Sequence, residues 1–86
     1  MTWSLHPEAE HDIADAVDFY REQAGPVVAT RFLEEFERVA KLLVEHPGLG
    51  TPMARGRRSF PLKIFPYSLV YRNLESGIRI LIVRHQ

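Results

Sequence analysis

The chain has 86 residues, 45% of them hydrophobic and 26% charged, and its 11 basic and 11 acidic side chains leave a formal net charge of zero. That length supports one domain spanning residues 1–86, and the composition excludes a disordered chain. The lack of cysteine excludes disulfides, thiolate metal sites and a cysteine nucleophile, and no apolar run is long enough for a membrane span, so a soluble cytoplasmic protein is expected.

The first element, "TWSL", predicts one brief strand. "HPEAEHDIADAVDFYREQAG" then reads as a helix. Pro7 suits the first helical position, Glu8, Glu10 and Asp12 favour the positive end of the helix dipole, and Gly25 supplies the stop. Ala9, Ile13, Ala16, Val17, Tyr20 and Ala24 recur at spacings of three and four and form an apolar stripe. A second helix opens at Gly25-Pro26 and ends before Pro47, with Phe32, Phe36, Val39 and Leu43 on its apolar side. The tight Gly-Pro junction predicts a helical hairpin.

"HPGLGTP" reads as a loop, and after it the period changes to two. Phe60, Leu62 and Ile64 alternate with Ser59, Pro61, Lys63 and Phe65, which predicts a strand whose proline places it at an edge or bulge. "YSLVYR" predicts a second strand, "NLESG" a turn and "IRILIVRH" a third. The expected order is β-α-α-β-β-β, an α+β domain with the helical hairpin packed on one side of a small antiparallel sheet.

The zero net charge hides a division. Residues 1–50 carry four cations and ten anions, a balance of −6, while residues 51–86 carry seven cations against Glu75 alone, a balance of +6. Two readings follow: a polyanionic or acidic partner for the second half, or neutralisation of the basic strands by the acidic helices of the same chain.

Taken together, the opening "HPEAEHDIADAVDFY", the helix-ending "HPGLG", the basic "RGRRSF", the strand "YSLVYR" and the closing "ILIVRH" resemble, in order, the landmarks of the RelE/ParE superfamily of toxins from bacterial type II toxin–antitoxin modules. Proteins of this kind are often labelled plasmid-stabilisation proteins. The resemblance implies a small toxin neutralised by a cognate antitoxin encoded adjacently, whose C-terminal segment wraps the toxin. It also implies one of two activities. RelE-like members are ribosome-dependent endoribonucleases that cut mRNA, whereas ParE-like members poison DNA gyrase by protein contact.

Metal-free RNA cleavage needs a proton acceptor for the 2′-OH, a proton donor for the leaving oxygen, and cations at the phosphate. His85 is the only proton-transfer group on the basic half away from a predicted turn, and Arg84 and Arg58 are the phosphate clamps it would use if the chain is a nuclease. Arg55, Arg57, Lys63, Tyr67, Tyr71 and Arg72 are the candidate target- or RNA-binding residues, the tyrosines alternatively lining the core. At least one of Arg57 and Arg58 is expected to anchor its loop through backbone carbonyls or helix carboxylates. The resemblance implies an arginine after the first tyrosine of the "YxLVY" strand in RelE-type ribonucleases, and paired lysines on the strand before it. Here those positions hold Ser68 and Lys63 alone. Relatives also continue past "VRH" with basic and aromatic residues, where this sequence reads Gln86. The expectation is therefore a ParE-like toxin acting on gyrase. A RelE-like enzyme on ribosome and mRNA, and an inactive antitoxin-binding member, are the alternatives. His6, His11, His46 and His85 lack metal-ligand spacing, so neither a metal nor a cofactor is expected.

Overall fold

A computed structural model describes residues 2–86. In chain order the elements are β1 (Thr2–Leu5), α1 (Pro7–Ala24), α2 (Pro26–Glu45), β2 (Thr51–Pro52), a 3-10 turn at Ala54–Gly56, β3 (Arg57–Pro61), β4 (Tyr67–Leu74) and β5 (Gly77–His85). The five strands form one sheet in the order β1-β5-β4-β3-β2.

The helix ends are built from local chemistry. His6 precedes α1 in an extended conformation and its Nδ1 accepts the Glu8 N–H at 3.1 Å, with Pro7 next in line and Glu8 and Glu10 in the first turn. Gly25 closes α1 by donating its N–H to Arg21 and starts α2 by accepting from Ala29, so a single residue makes the hairpin turn. The core forms where both helices meet the sheet. Phe32, Phe36, Val39 and Leu43 of α2 pack with Leu69 and Tyr71 of β4 and with Ile78, Ile80 and Val83 of β5, while α1 contributes the small Ala9 and Ala16. Tyr20, Phe32, Phe65 and Tyr67 form an edge-to-face aromatic cluster at one end, with centroids 5.1–6.2 Å apart.

The sheet is mixed, because β1 runs parallel to β5 while the other pairings are antiparallel. Gly77 makes the parallel pairing possible: its φ is 148°, and a Cβ there would lie 1.8 Å from the Thr2 carbonyl oxygen. Among the described residues no strand flanks β5 on that side beyond Ile80, and the Val83 N–H donates instead to the Asp12 carboxylate of α1 at 3.0 Å. The β4–β5 register skips Leu81, since Val70 faces Ile82 and Tyr71 faces Ile80, which marks a bulge on β5.

Three expected boundaries move. β3 starts at Arg57 and ends at Pro61, so Leu62, Lys63, Ile64 and Phe65 form a loop instead of a strand. The alternation fails there because Leu62 and Phe65 are both buried, and Ile64 between them takes a positive φ of 74°. Thr51 and Pro52, expected in a loop, pair with Ser59 and Arg58 as the edge strand β2. Asn73 and Leu74 extend β4, leaving a tighter turn than "NLESG" suggests.

Candidate target-binding surface

The register builds one row of like charges. Arg57 faces Arg72 and Arg72 faces Arg79, so three arginines stand side by side across β3, β4 and β5 on the face away from the helices, and Ser4 of β1 continues the row. Arg79 donates to the Ser4 hydroxyl at 3.3 Å, and Arg57 and Arg72 make long bonds of 3.4 Å to the carbonyls of Ala54 and Arg55. Like charges directly opposite one another destabilise a sheet. Among the described residues the ion pairs are His11–Asp15, Arg21–Asp18 and Arg38–Glu35, all within the helices. No ion pair among the described residues joins the acidic helices to the basic strands, so the arginine row is not neutralised by direct contact. Arg55, at φ 66° in the exposed turn beside this row, adds a fourth guanidinium. Arg79 was not singled out from the sequence; pairing "YRNL" with "GIRI" across the turn is the signal that reaches it.

Of the three candidate catalytic residues, Arg84 and His85 border one depression and Arg58 lies outside it. Arg84 faces Ser68 on the helix-free side, whereas His85, its neighbour, points to the other side and sets its ring edge-to-face on Tyr67 at 5.1 Å. His85 Nδ1 lies 2.9 Å from the Gln86 carbonyl oxygen. Arg58 sits three positions away along β4, opposite Tyr71, and its Nη1 donates to the carbonyls of Gly50 and Gly48 at 2.7 and 3.2 Å. It fastens the loop after α2 and is not a phosphate clamp in this arrangement. The Gln86 amide donates to the Ser68 hydroxyl at 3.0 Å, occupying the place beside Arg84.

The carboxylates missing from the basic half come from α1. Asp12, Asp15, Phe19, Tyr67, Arg84 and His85 line one open depression of about 330 Å³, because α1 packs along β5. Asp12 is committed to the Val83 N–H. Burial raises the Tyr67 phenol above its ordinary pKa. Tyr20 is raised too, by burial first and then by the neighbouring Tyr67.

Tyr71 is a correction to the expected binding set. It is 0% exposed in the centre of the core, and its hydroxyl donates to the Pro47 carbonyl at 2.7 Å and accepts the Gly50 N–H at 2.9 Å. No face of the ring is left for a target. Gly50 is required there, since a Cβ would lie 2.6 Å from the Tyr71 hydroxyl and 2.9 Å from the Arg58 Cβ. Lys63 is exposed at the far end of β3, away from Arg55, Arg57 and Arg72, and its backbone N–H donates to the Glu35 carboxylate at 2.7 Å. Arg38 grips the same carboxylate through two bonds of 2.7 and 2.8 Å. The Arg38 hydrogen bonds, and less strongly the Lys63 amide, hold Glu35 below the usual glutamate range against the opposing effect of burial.

Comparison with known proteins agrees with this architecture. The family model described as "ParE toxin of type II toxin-antitoxin system, parDE" matches residues 4–86. Toxin ParE2 of Mycobacterium tuberculosis, from two strains, is 27% identical over 81 residues, covering 94% of this chain and 77% of the relative. A solved chain of the chromosomal ParDE toxin–antitoxin system from P. aeruginosa superimposes with a TM-score of 0.85 at 26% identity, covering 99% of this chain and 95% of that one. No helix is long and apolar enough to cross a membrane among the described residues. The chain belongs to the ParE family of type II toxin–antitoxin toxins.

Proposed function

We propose that this toxin acts in the cytoplasm by binding DNA gyrase, and that a cognate antitoxin encoded beside it neutralises it. The observation that carries this reading is that the cations RNA cleavage would need are not aimed at His85, although Arg84 borders the same depression. His85 and Arg84 point to opposite faces of the sheet, Arg58 is spent on two loop carbonyls, and Ser68 stands where an arginine would serve the phosphate. A protein-contact toxin needs no such convergence; it needs a rigid, charged surface, and the unpaired arginine row supplies one. The names of the relatives favour the same branch of the superfamily. In a test with purified components, the chain inhibits supercoiling by gyrase and addition of its antitoxin restores it. Full supercoiling in the presence of excess toxin sinks the reading.

A second reading, ribosome-dependent mRNA cleavage, draws support from one feature: His85, Arg84, Asp15 and Tyr67 line the same depression. If that depression is a cleavage centre, His85→Ala lowers cleavage of translated mRNA by about 10²–10⁴-fold. An unchanged rate removes His85 from this alternative.

A further inference from the structure

The loop between β3 and β4 holds an isoleucine in a conformation that suits neither its backbone nor its side chain. Ile64 has φ 74°, a genuine outlier for a β-branched residue, and it is 96% exposed, the most exposed of the large hydrophobic residues. Nothing about this arrangement is loose. Leu62 and Phe65, at 6% and 9% exposure, anchor the loop in the core on either side of the tip. Phe65 packs edge-to-face against Tyr20 and Phe32. The Leu62 N–H donates to the Tyr67 carbonyl at 2.9 Å, the Tyr67 N–H to the Phe65 carbonyl at 2.8 Å, and the Lys63 N–H to Glu35, itself clamped by Arg38. With both flanks and one amide of the tip fixed, the chain can turn the corner only by swinging Ile64 outward.

A strained backbone that the surrounding structure over-determines points to a use outside the fold. An exposed apolar side chain on a fixed backbone is a partly preorganised anchor, since the backbone entropy of presenting it has been lost before binding. We propose that Ile64 is the anchor by which this toxin docks on its protein target, and that the target offers a preformed apolar socket rimmed by carboxylates. The shape argues for a folded target, because a side chain projecting almost fully exposed from a convex tip enters a socket, whereas an extended antitoxin segment would lie in the groove beside the tip. Charge argues for the acidic rim. Of the ionic groups beside the tip, Arg38 and Glu35 satisfy one another, leaving Lys63 and Arg31 against Glu34. Val28 and Phe65 line a shallow groove next to the tip, where the lip of a socket can rest. The proposal rests on the protein-contact reading and adds to it the residue that makes contact.

The test uses the opposite signs expected for stability and activity. Ile64→Gly and Ile64→Asn both accept a positive φ, so each variant melts higher than the parent, by roughly 4–8 °C for the glycine. Each also weakens inhibition of purified gyrase, and growth arrest on induction without antitoxin, by about tenfold or more. Leu74→Ala, which removes an exposed apolar side chain without backbone strain, leaves both activities unchanged. A parent chain that does not inhibit gyrase but does arrest growth defeats the gyrase reading alone, and the growth comparison then decides the role of Ile64. Full activity in both variants, a lower melting temperature in both, loss of antitoxin rescue with toxicity intact, or no growth arrest by the parent chain would each overturn the proposal.

Discussion

The loop between α2 and β2 and the loop between β3 and β4 are held by the same kind of interaction and end in opposite ways. Before β3, the loop after α2 gives its Pro47, Gly48 and Gly50 carbonyls to Tyr71 and Arg58, and the tyrosine is drawn wholly inside. After β3, Glu35 takes the Lys63 amide and Leu62 and Phe65 are drawn inside, but the residue between them is pushed out. In the first loop the fixed groups satisfy the Tyr71 hydroxyl and the Arg58 guanidinium, so its rigidity is explained by the fold. In the second, the fixed group faces solvent, and its rigidity acquires a purpose only with a partner. Side-chain-to-backbone bonds are therefore not diagnostic of structural residues; what they leave exposed is what distinguishes the two cases.

The sharpest way to break this comparison is Gly50→Ala. The added methyl meets Tyr71 and Arg58 inside 3 Å, and overpacking of this kind costs about 2–3 kcal/mol in urea unfolding. A neutral result would show that the first loop is pliable. Tyr71→Phe is expected to cost about 1–3 kcal/mol, since it orphans the Gly50 N–H and the Pro47 carbonyl at a buried position; loss near zero would mean water replaces the hydroxyl. In the second loop Glu35→Ala costs about 1 kcal/mol through the Lys63 amide and also loosens the tip, detectable as faster amide exchange at Lys63 and Ile64.

The same carboxylate gives a pH signature. Because Glu35 is depressed on folding, its contribution is present above the ordinary glutamate pKa and is lost as pH falls through its lowered value in the folded chain. Glu35→Gln should flatten the acid limb of the stability profile, while Tyr71→Phe should shift it without changing its shape. The smallest effect lies in the strands between the loops. Arg79→Gln relieves repulsion in the arginine row and raises stability by about 0.2–1 kcal/mol, more at low salt than at high. No salt dependence would mean the row is screened within the isolated domain.

How much of this was legible in the sequence depends on which residues set it. The hairpin was readable because Pro7, Gly25, Pro26 and Pro47 punctuate it and the apolar stripe of α2 is regular. β1, β4 and β5 were readable from their alternation, although nothing in "TWSL" signals that it pairs in parallel. The loop at 62–66 was misread because Phe60, Leu62 and Ile64 mimic a strand; burial of Leu62 and Phe65 together, a tertiary effect, cancels the period. The anchoring role of Arg58 was within the expectation for the arginine pair. For Tyr71 the alternation also allows a core-lining role, and the structure selects it. The arginine row needed the register, and the carboxylates beside His85 needed the packing of α1 on β5, neither of which spacing along the chain encodes.

The central claim is that the toxin acts by touching a protein and not by cutting RNA. The most direct measurement induces the chain without antitoxin and follows full-length mRNA and plasmid supercoiling in the same cells over the first minutes. The account predicts altered supercoiling with DNA breaks while translated messages stay intact. Rapid cleavage of those messages with supercoiling unchanged would contradict it, and would move attention from Ile64 to the depression around His85.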